Sequence, residues 1–289
     1  MKITIVGLGE VGRCYAQALA NTTTVQLLFC EQRIAPAAQR LADELGVQIH
    51  TSIGPWLAES DCVLSCVVGT QSLDVTRECL AHLRPGVLFA DLTTAAPERK
   101  RIAGSEAAQQ QVDYVDVAIM GAIAYLRELT PLLCAGAKAS ALVALLNTAG
   151  ARARALPDSQ PGDAITLKIL RSVFTKGVEA LAVEVLLGAE RQQLRPALYE
   201  VLADIDEAPL PAFLEMLVST HVVHATRRLH EVEEAERQLA SLGIASSVLG
   251  GVRQRFSHSS AGLALEPITE EKPSLAQALD WLGRHTPSA

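Results

Sequence analysis

Lys2-Ile3-Thr4-Ile5-Val6-Gly7-Leu8-Gly9-Glu10-Val11-Gly12 opens the chain, and its reading decides the fold. Five residues of strand character run into a glycine turn, and helical spacing begins at Glu10. A G-x-G-x-x-G spacing at a strand-to-helix turn predicts a dinucleotide site. Gly7 permits the tight turn, Gly9 lets backbone approach a pyrophosphate, and Gly12 allows close packing of helix on strand. The helix N-terminus then points unpaired N–H groups at the phosphates. Gly7, Leu8, Gly9, Glu10, Val11 and Gly12 are therefore candidate cofactor-binding residues, joined by Val67 and Val68 at the end of a later strand. Glu31 closes the second strand about 20 residues on, where a carboxylate can accept hydrogen bonds from the adenosine ribose. A carboxylate there favours NAD over NADP, although Arg33 and Arg40 leave a pairing with a 2′-phosphate open.

Outward from this turn, strand-like and helix-like segments alternate as far as residue 156. Strands are expected at Lys2–Val6, Val25–Cys30, Val47–His50, Cys62–Val68, Val87–Asp91, Tyr114–Ile119 and Pro131–Ala135. Helices are expected at Glu10–Ala20, Ala35–Leu45, Leu73–Leu83, Pro97–Gln109 and Ser140–Ala149. Such alternation, with near-continuous apolar strands, predicts a largely parallel sheet covered on both faces. After Pro157-Asp158-Ser159-Gln160-Pro161-Gly162 the alternation stops and only helical spacing remains. A long helix is expected from Ala164 to Gly188, then Arg195–Asp204, Pro211–Leu242 with a break, Ser247–Phe256 and Ser274–His285. The fold class is thus α/β: a Rossmann-type doubly wound sheet over 1–158, then an all-α substrate and dimerisation domain over 159–289.

A formal charge of -7 and a pI near 5.5 argue against nucleic acid as a partner. No apolar stretch reaches the roughly 18 residues of a membrane span, and no signal peptide is read at the N-terminus, so a cytoplasmic location is expected. The six cysteines, Cys14, Cys30, Cys62, Cys66, Cys79 and Cys134, form no C-x-x-C pair. They are expected to be buried thiols rather than disulfide partners or metal ligands. His230-Glu231 lacks the second histidine of a zinc-protease helix, and no metal site is expected.

Three motifs lie further along: Asp91-Leu92-Thr93-Thr94-Ala95-Ala96-Pro97, Val115-Asp116-Val117-Ala118-Ile119-Met120-Gly121-Ala122 and Gly162-Asp163-Ala164-Ile165-Thr166-Leu167-Lys168. In this order they resemble the D-x-S-T-x-x-P, D-A-P-V-S-G-G and G-x-G-x-x-x-K stretches of the β-hydroxyacid dehydrogenase superfamily, which includes 3-hydroxyisobutyrate and 6-phosphogluconate dehydrogenases. Glu184 also falls where that family carries a glutamate. The helix His221–Glu231 is similar to the C-terminal domain of a phosphogluconate-dehydrogenase-like branch. The resemblance implies that Lys168 is the catalytic residue, taking the proton from a substrate hydroxyl while the nicotinamide accepts the hydride. Lys168 stands among Ile165, Leu167, Ile169 and Leu170, and apolar surroundings disfavour an ammonium. A lone helical lysine is otherwise ordinarily a snorkelling surface residue.

The resemblance further places Thr93, Met120, Gly121, Ala122 and Ser172 at the substrate, with Thr93 also at the cofactor. Ser172 replaces the family's asparagine. Thr175 stands where the phosphogluconate branch has an acid, which puts decarboxylation of phosphogluconate in doubt. Lys168, Ser172, Thr175 and Lys176 share one helical face, so Lys176 is a candidate clamp for a substrate carboxylate or phosphate. Arg227 or Arg228 can grip the same group, with pairing to Glu231 as the alternative. The expected function is interconversion of a small anionic hydroxy acid and its carbonyl form by an NAD- or NADP-dependent homodimer. An imine reductase of the same architecture, or a non-catalytic dinucleotide sensor, is the alternative.

Overall fold

A computed structural model describes residues 1–22 and 25–287 and resolves the chain into two compact units, Met1–Val173 and Phe174–Ala289. The first unit holds β1 (Lys2–Val6), α1 (Glu10–Ala20), β2 (Gln26–Cys30), α2 (Pro36–Leu45) and β3 (Ile49–His50). It continues with β4 (Cys62–Ser65), α3 (Ser72–Leu80), β5 (Leu88–Asp91), α4 (Pro97–Gln109) and β6 (Asp113–Ile119). Then come α5 (Ile123–Leu126), β7 (Leu132–Ala135), α6 (Ala139–Thr148) and β8 (Ala153–Ala155). The division between the units falls inside α7 (Asp163–Arg191).

The sheet has eight strands in the order β3-β2-β1-β4-β5-β6-β7-β8. All neighbours are parallel except β6 and β7, where Asp116 faces Ala135 and Ile119 faces Leu132 in antiparallel register. The expected doubly wound α/β architecture is therefore present, with one antiparallel neighbour and a short edge strand, β8, that was not anticipated. Its three residues, Ala153-Arg154-Ala155, carry neither the length nor the branched side chains that mark a strand.

Side chains alternate across the sheet and fill a core on each face. Ile3 and Ile5 pack with Tyr15, Leu19, Phe29 and Leu64 on one side. Val6 lies on the other with Val63, Leu80, Phe89 and Tyr114. All six cysteines are free, and five are buried, with Cys66 partly so. Burial pushes the Cys30 thiol up to about 11 and those of Cys62 and Cys134 up to about 12.

The second unit takes the rest of α7, then α8 (Arg195–Leu202), α9 (Leu210–Ser241), α10 (Val248–Leu265) and α11 (Leu275–His285). The break expected in α9 is absent: it is one helix of 32 residues. Beyond Pro211 in its first turn it contains neither proline nor glycine to interrupt it. α10 runs past its expected end at Phe256 to Leu265. Gly262 lets α11 close on it, since a Cβ there would lie 2.9 Å from the Trp281 ring and 3.0 Å from His285. Among the described residues, no helix is long and apolar enough to cross a membrane.

Gly12 shows how tightly α1 sits on β1. A Cβ at this position would stand 1.9 Å from the Gly7 carbonyl oxygen, inside any tolerable contact. Gly12→Ala is expected to push α1 away and cost about 1–3 kcal/mol. A urea or thermal melt checks this, and an unchanged midpoint would contradict the packing described.

Candidate active site

The order of strands reverses between β1 and β4, and in open α/β sheets the crevice beyond such strand ends receives the ligand. Gly7 follows β1 with φ of 93°. A Cβ on it would lie 2.9 Å from the Cys66 carbonyl carbon, so only glycine lets the loops after β1 and β4 touch. Gly9 caps α1 without any side-chain hydrogen bond, and a Cβ there would meet nothing within 4 Å. The first-turn N–H groups of α1, which have no partner within the helix, thus open onto free space. A dinucleotide pyrophosphate fits this cradle.

Glu31 stands just past β2, half-buried, and its carboxylate accepts the Leu8 N–H at 2.7 Å and the Arg33 N–H at 3.2 Å. It therefore braces the glycine turn while lining a cavity of about 540 Å³ with Gly7, Arg33, Val67, Asp74 and Glu78. Acids outnumber the one arginine there. Arg40 lies elsewhere, on a separate cavity of about 350 Å³ with Glu10, Arg13 and Arg127. Val67 lines the larger cavity, whereas Val68 stands 62% exposed where a short 3-10 turn begins.

Behind the crevice is a buried polar network. Asp91, at the end of β5, accepts Ser72 Oγ at 2.7 Å and Tyr114 OH at 2.6 Å on one carboxylate oxygen. Its other oxygen accepts the Thr93 N–H at 2.8 Å. Lys100, fully buried on α4, donates to the Asp91 carbonyl at 2.9 Å and to Asp116 Oδ1 at 2.7 Å. The second oxygen of Asp116 accepts the N–H groups of Gly162 at 3.1 Å and Ile165 at 3.0 Å, which secures the start of α7. Burial pushes the Tyr114 hydroxyl well above its ordinary value, and the charge of Asp91 adds to this.

Lys168 sits two turns into α7, half-buried, and its amine donates to Thr94 Oγ1 at 3.2 Å. Burial holds this amine below its ordinary value, the charge of Lys100 pushes it the same way, and Asp116 opposes. Beside Thr94, Thr93 is 3% exposed, and its hydroxyl has no hydrogen-bond partner among the described residues. Met120 packs on Ala118, Leu133, Ala135 and Ala164, so the segment after β6 meets the first turn of α7. Gly121 leaves only 3.3 Å between a would-be Cβ and the Thr130 methyl, and Ala122 leads into α5. The structure thus brings Thr93, Thr94, Met120 and Lys168 to the ends of β5, β6 and the start of α7. Thr94 as the lysine's partner, and Lys100 with Asp116 behind it, were not anticipated from the sequence.

A family model for the NAD-binding domain of 6-phosphogluconate dehydrogenase matches residues 2–154, more than half of the chain. The chain belongs to this family. The match supports the wider β-hydroxyacid dehydrogenase superfamily to which the motifs pointed, and with it NAD(P) binding by a dehydrogenase fold. Residues 189–259 match a second family, a domain of unknown function called DUF1932. The chain is 26% identical over 258 residues to an uncharacterised 28.5 kDa protein in the 7S RNA 5′ region of Methanothermus fervidus, covering 89% of this chain and 98% of that one. Among solved structures, a conserved protein of unknown function, described as similar to 3-hydroxyacid dehydrogenases, is 25% identical with a TM-score of 0.63. That likeness covers 93% of this chain and 100% of the other. An imine reductase variant from Myxococcus stipitatus in complex with NAD+ shares the fold, with a TM-score of 0.77 at 17% identity over 97% and 99% of the two chains.

The remaining residues singled out from the sequence lie on α7 and α9. Ser172 is exposed on α7. Lys176, in the second unit, is exposed and pairs with Glu179 at 2.5 Å. Arg227 pairs with Glu231, the helical surface contact that was its alternative. Arg228 donates to Thr220 Oγ1 at 3.1 Å. Glu184 is 8% exposed and accepts Ser246 Oγ at 2.5 Å and the N–H groups of Ser247 at 2.8 Å and Val248 at 3.0 Å. Its carboxylate caps α10, and the hydrogen bond from Ser246, with those from the backbone, holds it below its ordinary value.

A carboxyl whose native value is depressed stabilises the fold above its unfolded value and loses that contribution as pH falls through the native one. Glu184→Gln is expected to cost about 1 kcal/mol at neutral pH. The gap between variant and parent should close in acid, below the ordinary glutamate range. Denaturant melts at neutral and acidic pH measure it, and a gap independent of pH would remove the charged cap from the account.

Proposed function

We propose that the chain is an NAD(P)-dependent oxidoreductase that interconverts a small anionic hydroxy acid and its carbonyl form, with Lys168 as the general acid and base. The observation that carries this reading is the half-buried Lys168 amine, held on Thr94 Oγ1 just past the end of β5. A nicotinamide dinucleotide at the glycine turn supplies the two-electron acceptor or donor. Lys168 in its neutral form takes the hydroxyl proton as the carbonyl forms, and returns it in the opposite direction. Its lowered value favours the neutral amine nearer to physiological pH than an exposed lysine allows. Thr93 is a proposed cofactor and substrate residue on the strength of the sequence, and Met120, Gly121 and Ala122 form an apolar floor with few donors. Ser172, Lys176 and Arg228 remain proposed substrate residues on the strength of the sequence.

NAD is the proposed cofactor in preference to NADP. Glu31, Asp74 and Glu78 line the cavity beside the glycine turn, and a 2′-phosphate there would meet their like charge. A second copy of the chain is the proposed partner. Leu170 (59% exposed), Val173 (69%) and Val183 (55%) stand bare along α7.

Two measurements test these readings. Absorbance of the reduced cofactor, followed over hydroxy acids, aldehydes and cyclic imines, should find turnover with a hydroxy acid or its carbonyl partner. Lys168→Ala should lower that turnover by about 10²–10⁴-fold while NADH still binds. Near-normal turnover in the variant would refute the assignment, and turnover of imines alone would move the protein to the reductase class. In fluorescence titrations NADH should bind more tightly than NADPH, and Glu31→Ala should weaken NADH about tenfold or more. Equal affinities in the parent protein would overturn the preference.

A further inference from the structure

We propose that Lys100 is a positioning residue for Lys168: a buried cation that joins the β5 turn to the start of α7, the two segments that hold the base. This inference rests on the reading of Lys168 as the proton-transfer group.

Lys100 has no exposure to solvent, and both of its bonds lead towards the site. One, to the Asp91 carbonyl, fixes the strand end from which Thr93 and Thr94 extend. The other, to Asp116 Oδ1, reaches α7 through the Gly162 and Ile165 N–H groups on Asp116 Oδ2. Lys168 follows Ile165 by three residues on the same helix, and its amine closes the loop on Thr94. The lysine is therefore held between two segments that share one anchor. Solvent cannot screen a cation buried at this anchor as it screens a surface charge.

Among the described residues, few charged groups surround this anchor, and the buried Cys134 thiol on β7 feels both Asp116 and Lys100. Asp116 on β6 and Asp91 on β5 both face Lys100, the latter with its carboxylate at 3.7 Å. Tyr114 on β6 and Ser72 on α3 donate to Asp91 and so bind its carboxylate from the far side. Arg101 on α4 borders Gly162. Of these, Lys100 and Asp116 act on the Lys168 amine with opposite sign, Lys100 lowering its value and Asp116 raising it. An ammonium in place of any neutral group at position 100 makes the neighbouring amine give up its proton more readily. Asp116 makes it hold the proton more firmly.

Opposite effects of the two partners give a signature that a purely structural role does not produce. The test is competitive acetylation of the full chain with acetic anhydride across a pH series, read at each lysine by peptide mass spectrometry. It needs neither substrate nor cofactor. In the parent protein Lys168 should titrate below the ordinary lysine value. Lys100→Met should raise the Lys168 midpoint by about one pH unit, Asp116→Asn should lower it by a similar amount, and Lys100→Arg should retain the parent midpoint. Circular dichroism melts establish which variants fold, and where Lys100→Met does not, the shift in Asp116→Asn decides. Midpoints that stay fixed, or that move in the same direction in both charge variants, overturn the proposal. Those outcomes leave the role of Lys168 to its own turnover measurement. Failure of the substrate screen leaves these midpoints interpretable.

Discussion

Lys100 and Asp116 meet without access to water, and four elements depend on the contact. α4 supplies the cation and β6 the carboxylate, β5 is tied by its terminal carbonyl, and α7 begins on the free oxygen of Asp116. A buried pair of this kind is poor evidence of stability in itself, because desolvation of both ions offsets their attraction. Its stronger consequence is geometric. With both carboxylate oxygens of Asp116 engaged and Lys100 bonded to two strands at once, the segments around the pair have little freedom to settle in another register. The residues assigned to chemistry, Thr93, Thr94 and Lys168, all extend from segments held in this way.

Much of this arrangement was legible in the amino-acid sequence because it follows from periodicity. The β1–α1 unit, the alternation of strands with helices and the long α7 all have repeating patterns of apolar residues. The motifs at Asp91, Asp116 and Gly162 could be placed in order along the chain. What could not be read was how they touch. Asp116 belonged to a quoted motif, but the partners of its two oxygens lie 16, 46 and 49 residues away. Lys100 sits in Pro97-Glu98-Arg99-Lys100-Arg101, the charged start of the helix expected at Pro97–Gln109. One local signal does set it apart: Lys100, Ala103 and Ala107 fall on one helical face, and all three are buried. A charge on an apolar face is a buried partner more often than composition alone implies.

The errors have equally local causes. β8 was missed because three residues cannot establish a period, and the direction of the expected strand β7 went unread because it is a property of connections rather than of composition. The break expected in α9 had no proline or glycine to produce it. On α7, four polar residues shared a face, yet Lys168 is half-buried on Thr94 while Lys176 is exposed on Glu179. A shared face limits which side chains can meet, and the packing of neighbouring elements selects among them.

The six thiols carry a consequence of a different kind. Each is held above its ordinary value, burial being the first cause in every case. Peroxide and disulfides react with the thiolate, so a thiol that stays protonated is slow towards both. In a fold built to bind a nicotinamide dinucleotide, the cysteines are thus poorly placed to join the redox chemistry.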